Sequence, residues 1–264
     1  MAADGGRGGV GREHRGTAVV TGGARRIGRA IALDLAGRGF DVAVHCNEST
    51  DEAEAVADLI RGTGARAVVV RADLGDLAAV ARIVPEAAAA LGPVTMLVNN
   101  ASMFVGDTPE TLQPALFLRQ MTVNLAAPCF LARDLAGRLP ADRTGLVVNL
   151  IDQRVLKPTP QFFSYTLSKS ALFDATRTLA QALAPWVRVN GIGPGPTLPN
   201  VRQSDDDFAR QSSAVLLGRG PALSEITGAI GFLLETPSVT GQMLALDGGQ
   251  HLAWQTPDVV GINE

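Results

Sequence analysis

Short β-branched runs alternate with longer Ala/Leu-rich amphipathic stretches through most of this chain, and no other feature narrows its fold so far. Residues 17–21, 41–45, 65–70, 95–98, 145–151, 187–190 and 243–246 have the length and Val/Ile/Leu content of buried strands. Residues 27–38, 51–61, 76–91, 110–138, 162–183, 205–217 and 224–235 have the length and apolar spacing of helices. Alternation of this kind implies right-handed crossovers and a doubly wound parallel sheet of about seven strands with helices on both faces. With 264 residues, the chain reads as a single such domain over 16–252, preceded by a Gly/Arg-rich disordered lead-in (1–15) and followed by a C-terminal tail (253–264). The stretch from Gly191 to Asp207, Gly/Pro-rich and then acidic, reads as a loop near the ligand crevice.

Charge and composition exclude several classes of function. A formal net charge of -3 offers no electrostatic footprint for nucleic acid or an anionic membrane. No apolar run reads as long enough to cross a bilayer, and the start lacks a signal peptide's apolar stretch. Cys46 and Cys129 have no His or Cys neighbour at metal-ligand spacing and suggest a reducing compartment, so a cytoplasmic protein is expected. His14, His45 and His251 are too scattered for a metal site or a nucleophile triad.

Two stretches carry chemistry. The first strand runs into Thr21-Gly22-Gly23-Ala24-Arg25-Arg26-Ile27-Gly28 just before a helix, where glycines let backbone approach a pyrophosphate at a helix N-terminus. The second strand ends in Val44-His45-Cys46-Asn47 with no acidic residue to grip a ribose 2′-hydroxyl. Arg25 and Arg26 are instead suited to a 2′-phosphate, which favours NADP although Glu48 opposes it. Asp73, followed by Leu74, is placed either to accept from an adenine amino group or to cap a helix. The second stretch holds Tyr165, the chain's only tyrosine, and Lys169, one of its two lysines. On a helix they share a face, roughly 6 Å apart in rise. An ammonium so placed is expected to lower the phenol's pKa and make Tyr165 a proton donor near neutral pH.

Together with Asn99-Asn100-Ala101-Ser102, Asn124 and Pro194-Gly195, these motifs resemble the short-chain dehydrogenase/reductase family in order and spacing over roughly residues 16–250. The resemblance implies a Rossmann-like doubly wound fold, a nicotinamide cofactor and a homotetramer. It implies that Lys169 binds the nicotinamide ribose and assists Tyr165, and that Asn124 holds a relay water. Asn100, Ala101 and Ser102 would line the cofactor cleft, and Pro194, Gly195 and Thr197 would pass the carboxamide. Gly22, Arg25, Arg26, Ile27, His45, Asn47, Asp73 and Leu74 complete the expected cofactor set.

Two departures from the family pattern sharpen the expectation. Asp152 stands where most members have a serine, and a carboxylate there disfavours ketone reduction by repelling a developing oxyanion. It suits a substrate protonated on nitrogen. Arg26 stands at the usual middle glycine. Both features resemble the pteridine reductase and dihydromonapterin or dihydrofolate reductase branch, as do Asn100-Ala101-Ser102-Met103-Phe104 and Asp247-Gly248-Gly249-Gln250-His251-Leu252. That branch implies an NADPH-dependent pterin reductase in which Phe104 stacks on the pterin, while Arg26, Ser102, Asp152 and Tyr165 contact the pterin or the cofactor phosphate. Its members commonly have a basic residue after the second strand, where this chain has Asn47, Glu48 and Ser49. Two other readings share the scaffold: a carbonyl or 3-oxoacyl-thioester reductase that tolerates Asp152, and an NADP-sensing protein whose catalysis has lapsed.

Overall fold

The computed structural model describes residues 14–199, 203–257 and 259–261. Residues 1–13 of the expected lead-in lie outside the described residues, while His14 and Arg15 are held to the domain through Asp41 (2.9 Å) and Glu235 (2.7 Å). In chain order the elements are β1 (Thr17–Val20), α1 (Arg26–Gly37), β2 (Asp41–Cys46), α2 (Thr50–Arg61), β3 (Ala67–Arg71), α3 (Leu77–Leu91) and β4 (Val94–Asn99). Then come α4 (Pro114–Met121), α5 (Ala127–Arg138), β5 (Gly145–Leu150), α6 (Phe163–Leu183), β6 (Val187–Pro194), α7 (Asp205–Ser213), α8 (Leu223–Glu235) and β7 (Met243–Leu246). The strands form a seven-stranded sheet in the order β3-β2-β1-β4-β5-β6-β7, every pairing parallel. The order reverses between β1 and β4, so the loops leaving their C-terminal ends part and leave a crevice.

Strand periodicity builds both halves of the core. Val20, Val42, Val44, Val98 and Val148 face α1, α2 and α8, meeting Ile31, Leu35, Val56, Ile60 and Ile230. Their neighbours Val19, Ala43, Leu97 and Val147 face the other way, toward Val80, Ile83, Leu131 and Leu135 of α3 and α5. A polar chain crosses that second layer: Asn99 Nδ2 donates to Asn149 Oδ1 (2.8 Å), and Asn149 Nδ2 donates to Thr176 Oγ1 on α6 (2.9 Å). All three side chains are buried, so the chain fixes α6 against the sheet.

Three expected boundaries move. The single helix expected over 110–138 is a 3-10 turn (Pro109–Thr111), α4, a π turn (Thr122–Ala126) and α5. Pro128 lacks the N–H that would bond the Asn124 carbonyl four residues back, and the Ala127 N–H reaches Thr122 O instead. The stretch Pro114–Arg138 is also, by length and mean hydropathy (1.3), long and apolar enough to cross a membrane, contrary to the expectation from sequence. In the fold it packs against α3 and α6. β6 runs on to Pro194 rather than ending at 190, because Gly191 to Pro194 pair with β7. α7 stops at Ser213 rather than 217, since the Leu217 N–H is taken by the Gly248 carbonyl (2.9 Å). Of the expected loop, residues 200–202 lie outside the described residues.

Candidate active site

The loop after β1 is locked in place by neutral groups. Gly22 turns at φ +61°, and its N–H donates to His45 Nδ1 (3.2 Å) while the Gly23 N–H donates to His45 O (2.9 Å). His45 Nε2 then donates to Ala72 O (3.0 Å), and burial lowers the imidazole pKa to about 4. Across the crevice, Thr21 Oγ1 accepts from the N–H groups of Asn100 (2.9 Å) and Ala101 (3.0 Å), while Asn100 Nδ2 donates to Thr21 O (2.9 Å). A Cβ on Gly28 would lie 2.1 Å from Gly22 O, so only glycine lets the start of α1 press against this loop. The result is a cleft of about 500 Å³ lined by Gly22, Arg25, Arg26, Ile27, Asn47 and Asn100. Backbone at a helix N-terminus and arginine at the rim are the donor set a dinucleotide phosphate requires, so the residues present fit such a group.

Charges around this cleft are paired at its edge. Arg25 bonds Glu52, both exposed. Asp73 accepts from the Gly75 N–H (2.8 Å) and from Arg119 (2.9 Å), which in that order hold its carboxyl below the usual range. Asp73 and Leu74 line an adjoining cavity with His45, Asn47 and Ser102. Arg26 has a left-handed backbone (φ +54°), the conformation that a glycine accepts freely at this position. Its guanidinium donates to Pro199 O (2.6 Å) and Leu198 O (3.2 Å), tying the loop after β1 to the segment after β6.

The second part of the crevice, about 260 Å³, brings together Asp152, Tyr165, Lys169, Phe104 and Gly195. Tyr165 and Lys169 lie one turn apart on α6, both buried. The phenol donates to Asp152 Oδ2 (2.8 Å), whose Oδ1 accepts from the Arg154 N–H (2.8 Å). Lys169 Nζ donates to Leu150 O (2.6 Å) and lies 5.9 Å from the Tyr165 ring centroid. The expected lowering of the tyrosine's pKa is reversed: burial first, then the Asp152 carboxylate, push the phenol well above its ordinary value. Burial also brings Lys169 down to about 8. Tyr165 is therefore held in its protonated form, and releasing that proton is opposed by the same burial and carboxylate.

The flanking loops hold this centre rigidly. The Asn124 side chain is fully used, donating to Met103 O (2.9 Å) and Ser168 Oγ (3.0 Å) and accepting from Met103 N (2.8 Å) and Ser102 Oγ (3.2 Å). Any relay water must therefore meet its carbonyl, which Pro128 has released from the α-helical ladder. Phe104 stacks on Phe162 (centroids 4.2 Å apart) and meets Tyr165 edge-on (4.6 Å). Buried Asp107 accepts from the Ser164 N–H (3.0 Å) and hydroxyl, so the Phe104 loop is fastened to the start of α6. Pro194 and Thr197 line the same space, and a Cβ on Gly195 would lie 2.7 Å from Asp247 Cα. Sequence reasoning missed Glu52, Arg119, Arg154 and Phe162 as site residues, while Gln250, noted there only within the match that ends in His251-Leu252, lines the same space as Tyr165. Only Arg154 and Phe162, which lie between Asp152 and Tyr165, stood close enough to the motifs to have been noticed.

The fold and this site define a Rossmann-type oxidoreductase. Residues 16–209 match the short chain dehydrogenase family, and the chain belongs to it. Its structure superposes on FolM alternative dihydrofolate reductase 1 of Brucella canis, complexed with NADP, with a TM-score of 0.91 and 55% identity, covering 94% of this chain and 99% of that one. The FolM alternative dihydrofolate reductase 1 of Brucella suis, in complex with NADP, gives a TM-score of 0.91 and 56% identity, covering 93% of this chain and 99% of that one. A short-chain type dehydrogenase/reductase of Picea abies is 31% identical over 88% of this chain and 91% of its own length. Within the family, the chain falls in the pteridine and dihydrofolate reductase-like branch.

Proposed function

We propose that this protein reduces a dihydropterin, of the dihydromonapterin, dihydrofolate or dihydrobiopterin type, using NADPH. The observation that carries the reading is the 2.8 Å bond from Tyr165 to Asp152, a carboxylate in the place of the usual carbonyl-polarising serine. NADPH, when bound, would supply the hydride for the ring carbon of a C=N bond. Tyr165 gives its proton to the ring nitrogen, and Asp152 holds the phenol and accepts from ring N–H groups. Lys169 binds ribose hydroxyls and, with the Asn124 carbonyl, returns a proton to Tyr165 through water. Gly22, Ile27 and the N-terminus of α1 would hold the pyrophosphate, with Arg25 and Asn47 suited to the 2′-phosphate and Asp73 and Leu74 to the adenine. Phe104 offers its ring to the pterin next to the proton donor.

Support for the substrate class comes from the Brucella relatives and from the site's mixture of one carboxylate, aromatic rings and cations. Leu118 and Leu167, exposed on α4 and α6, fit assembly into a homotetramer through these helices. The deciding experiment follows NADPH oxidation with dihydropterins, dihydrofolate, 3-oxoacyl thioesters and simple ketones, repeated with NADH. Turnover confined to dihydropterins and dihydrofolate is the expected result. Turnover of thioesters or ketones alone would make the protein a carbonyl reductase, and cofactor binding with no turnover would make it a sensor.

A further inference from the structure

A proton leaving Tyr165 creates a phenolate beside the Asp152 carboxylate, and like charges so close oppose each other strongly. Serine in that place raises no such difficulty. Lys169, one turn along the same helix as Tyr165, is buried, spends a donor on Leu150 O and has its pKa brought down to about 8. A second cation stands nearby. Arg154 follows Asp152 in the short 3-10 turn Gln153–Val155 and lines the same space as the tyrosine.

The guanidinium of Arg154 is held by neutral groups. Nη1 donates to Thr159 Oγ1 (2.6 Å), and the group lies 5.4 Å over the Phe162 ring, which in turn stacks on Phe104. Its Nε is buried with no hydrogen-bond acceptor, and no acidic side chain pairs with it among the described residues. Its charge is thus not spent on an ion pair, and arginine keeps that charge at any working pH. Burial and the Asp152 carboxylate hold the phenol protonated, while the Arg154 cation and the Ser102 hydroxyl favour the phenolate, and Lys169 Nζ lies 5.9 Å from the ring centroid.

We infer that Arg154 is a positioning residue that offsets Asp152, allowing Tyr165 to release its proton beside a carboxylate. The inference rests on the reading of Tyr165 as proton donor. The step balances simply: the Tyr165 O–H bond breaks, its proton joins the substrate nitrogen as hydride reaches the ring carbon, and the phenolate remains in the cavity that Arg154 and Lys169 also line until water reprotonates it.

Because Tyr165 is the chain's only tyrosine, tyrosinate absorbance reads this one group and needs no substrate. Asp152→Asn is expected to lower the titration midpoint, and adding Arg154→Gln to raise it again by about one pH unit. On whichever substrate turns over, Arg154→Gln is expected to lower kcat about tenfold with NADPH affinity unchanged, and Arg154→Lys to restore part of the rate. An unmoved midpoint in the Asp152→Asn/Arg154→Gln double variant would overturn the inference. So would a loss confined to KM, which would make Arg154 a substrate anchor. Failure of the pterin reading would show in the substrate panel and leave the optical titration intact.

Discussion

The two halves of the crevice solve different problems with different materials. On the nucleotide side the framework is neutral: His45, Thr21, Asn100 and backbone amides fix the loops, and charges meet in exposed pairs at the rim. On the chemical side a carboxylate, a phenol and an ammonium are packed together, the last two buried. Binding a highly charged, solvated ligand calls for a stiff cradle that stays unchanged with pH. Moving a proton calls for groups whose charge is finely balanced. The contrast predicts that perturbations on one side leave the other largely intact.

The largest expected effect is on the chemical side alone. Tyr165→Phe should reduce kcat by about 10³-fold, within the range of general acid catalysis, while the Kd for NADPH stays within about twofold. Comparable damage to NADPH affinity, measured by fluorescence titration, would show that the halves are not separable. The next effect belongs to the cradle. His45 is neutral in the fold down to about pH 4, against an ordinary value of 6.5, so the unfolded chain takes up the proton first. Stability is therefore full above pH 6.5 and is lost as pH falls toward 4, by about 3 kcal/mol from this residue. Denaturant melts across that window and the His45 ring signals in NMR check both numbers, and an imidazole titrating near 6.5 would refute the account.

A smaller change should follow Asp152→Ser, which we expect to slow dihydropterin turnover about 10- to 100-fold with little change in cofactor affinity. Equal rates for the two proteins would leave the carboxylate without a role in the reaction. The smallest effect is at the rim. Arg25→Ala should cost NADPH about tenfold in Kd and NADH almost nothing, the worth of one charge-assisted contact. A parallel loss for both cofactors would move the 2′-phosphate site elsewhere.

Much of this architecture could be read in advance, because parallel strands buried on both faces leave unmistakable β-branched runs. The spacing of Tyr165, Lys169, Asn100 and Asp152 was equally legible, since each follows a strand end or shares a helical face. What could not be read depends on distant approach. Phe162 covers Phe104 only because Asp107 ties their segments together, and Arg25 finds Glu52 only once α1 and α2 lie side by side. The direction of the tyrosine's shift was misjudged for the same reason. Helical spacing put Lys169 near the phenol but could not reveal that Asp152 lies closer or that both groups are buried. The π turn escaped notice because Pro128 sits inside an otherwise unbroken apolar pattern.

Arg26 sets backbone strain against contact. Its left-handed backbone costs on the order of 1 kcal/mol relative to glycine, and two carbonyl bonds to Leu198 and Pro199 offset that cost. Glycine here would relax the turn and also cut the side-chain link from the phosphate loop to the segment after β6. With strain and bonding so nearly matched, Arg26 holds two walls of the crevice together at little net cost in stability.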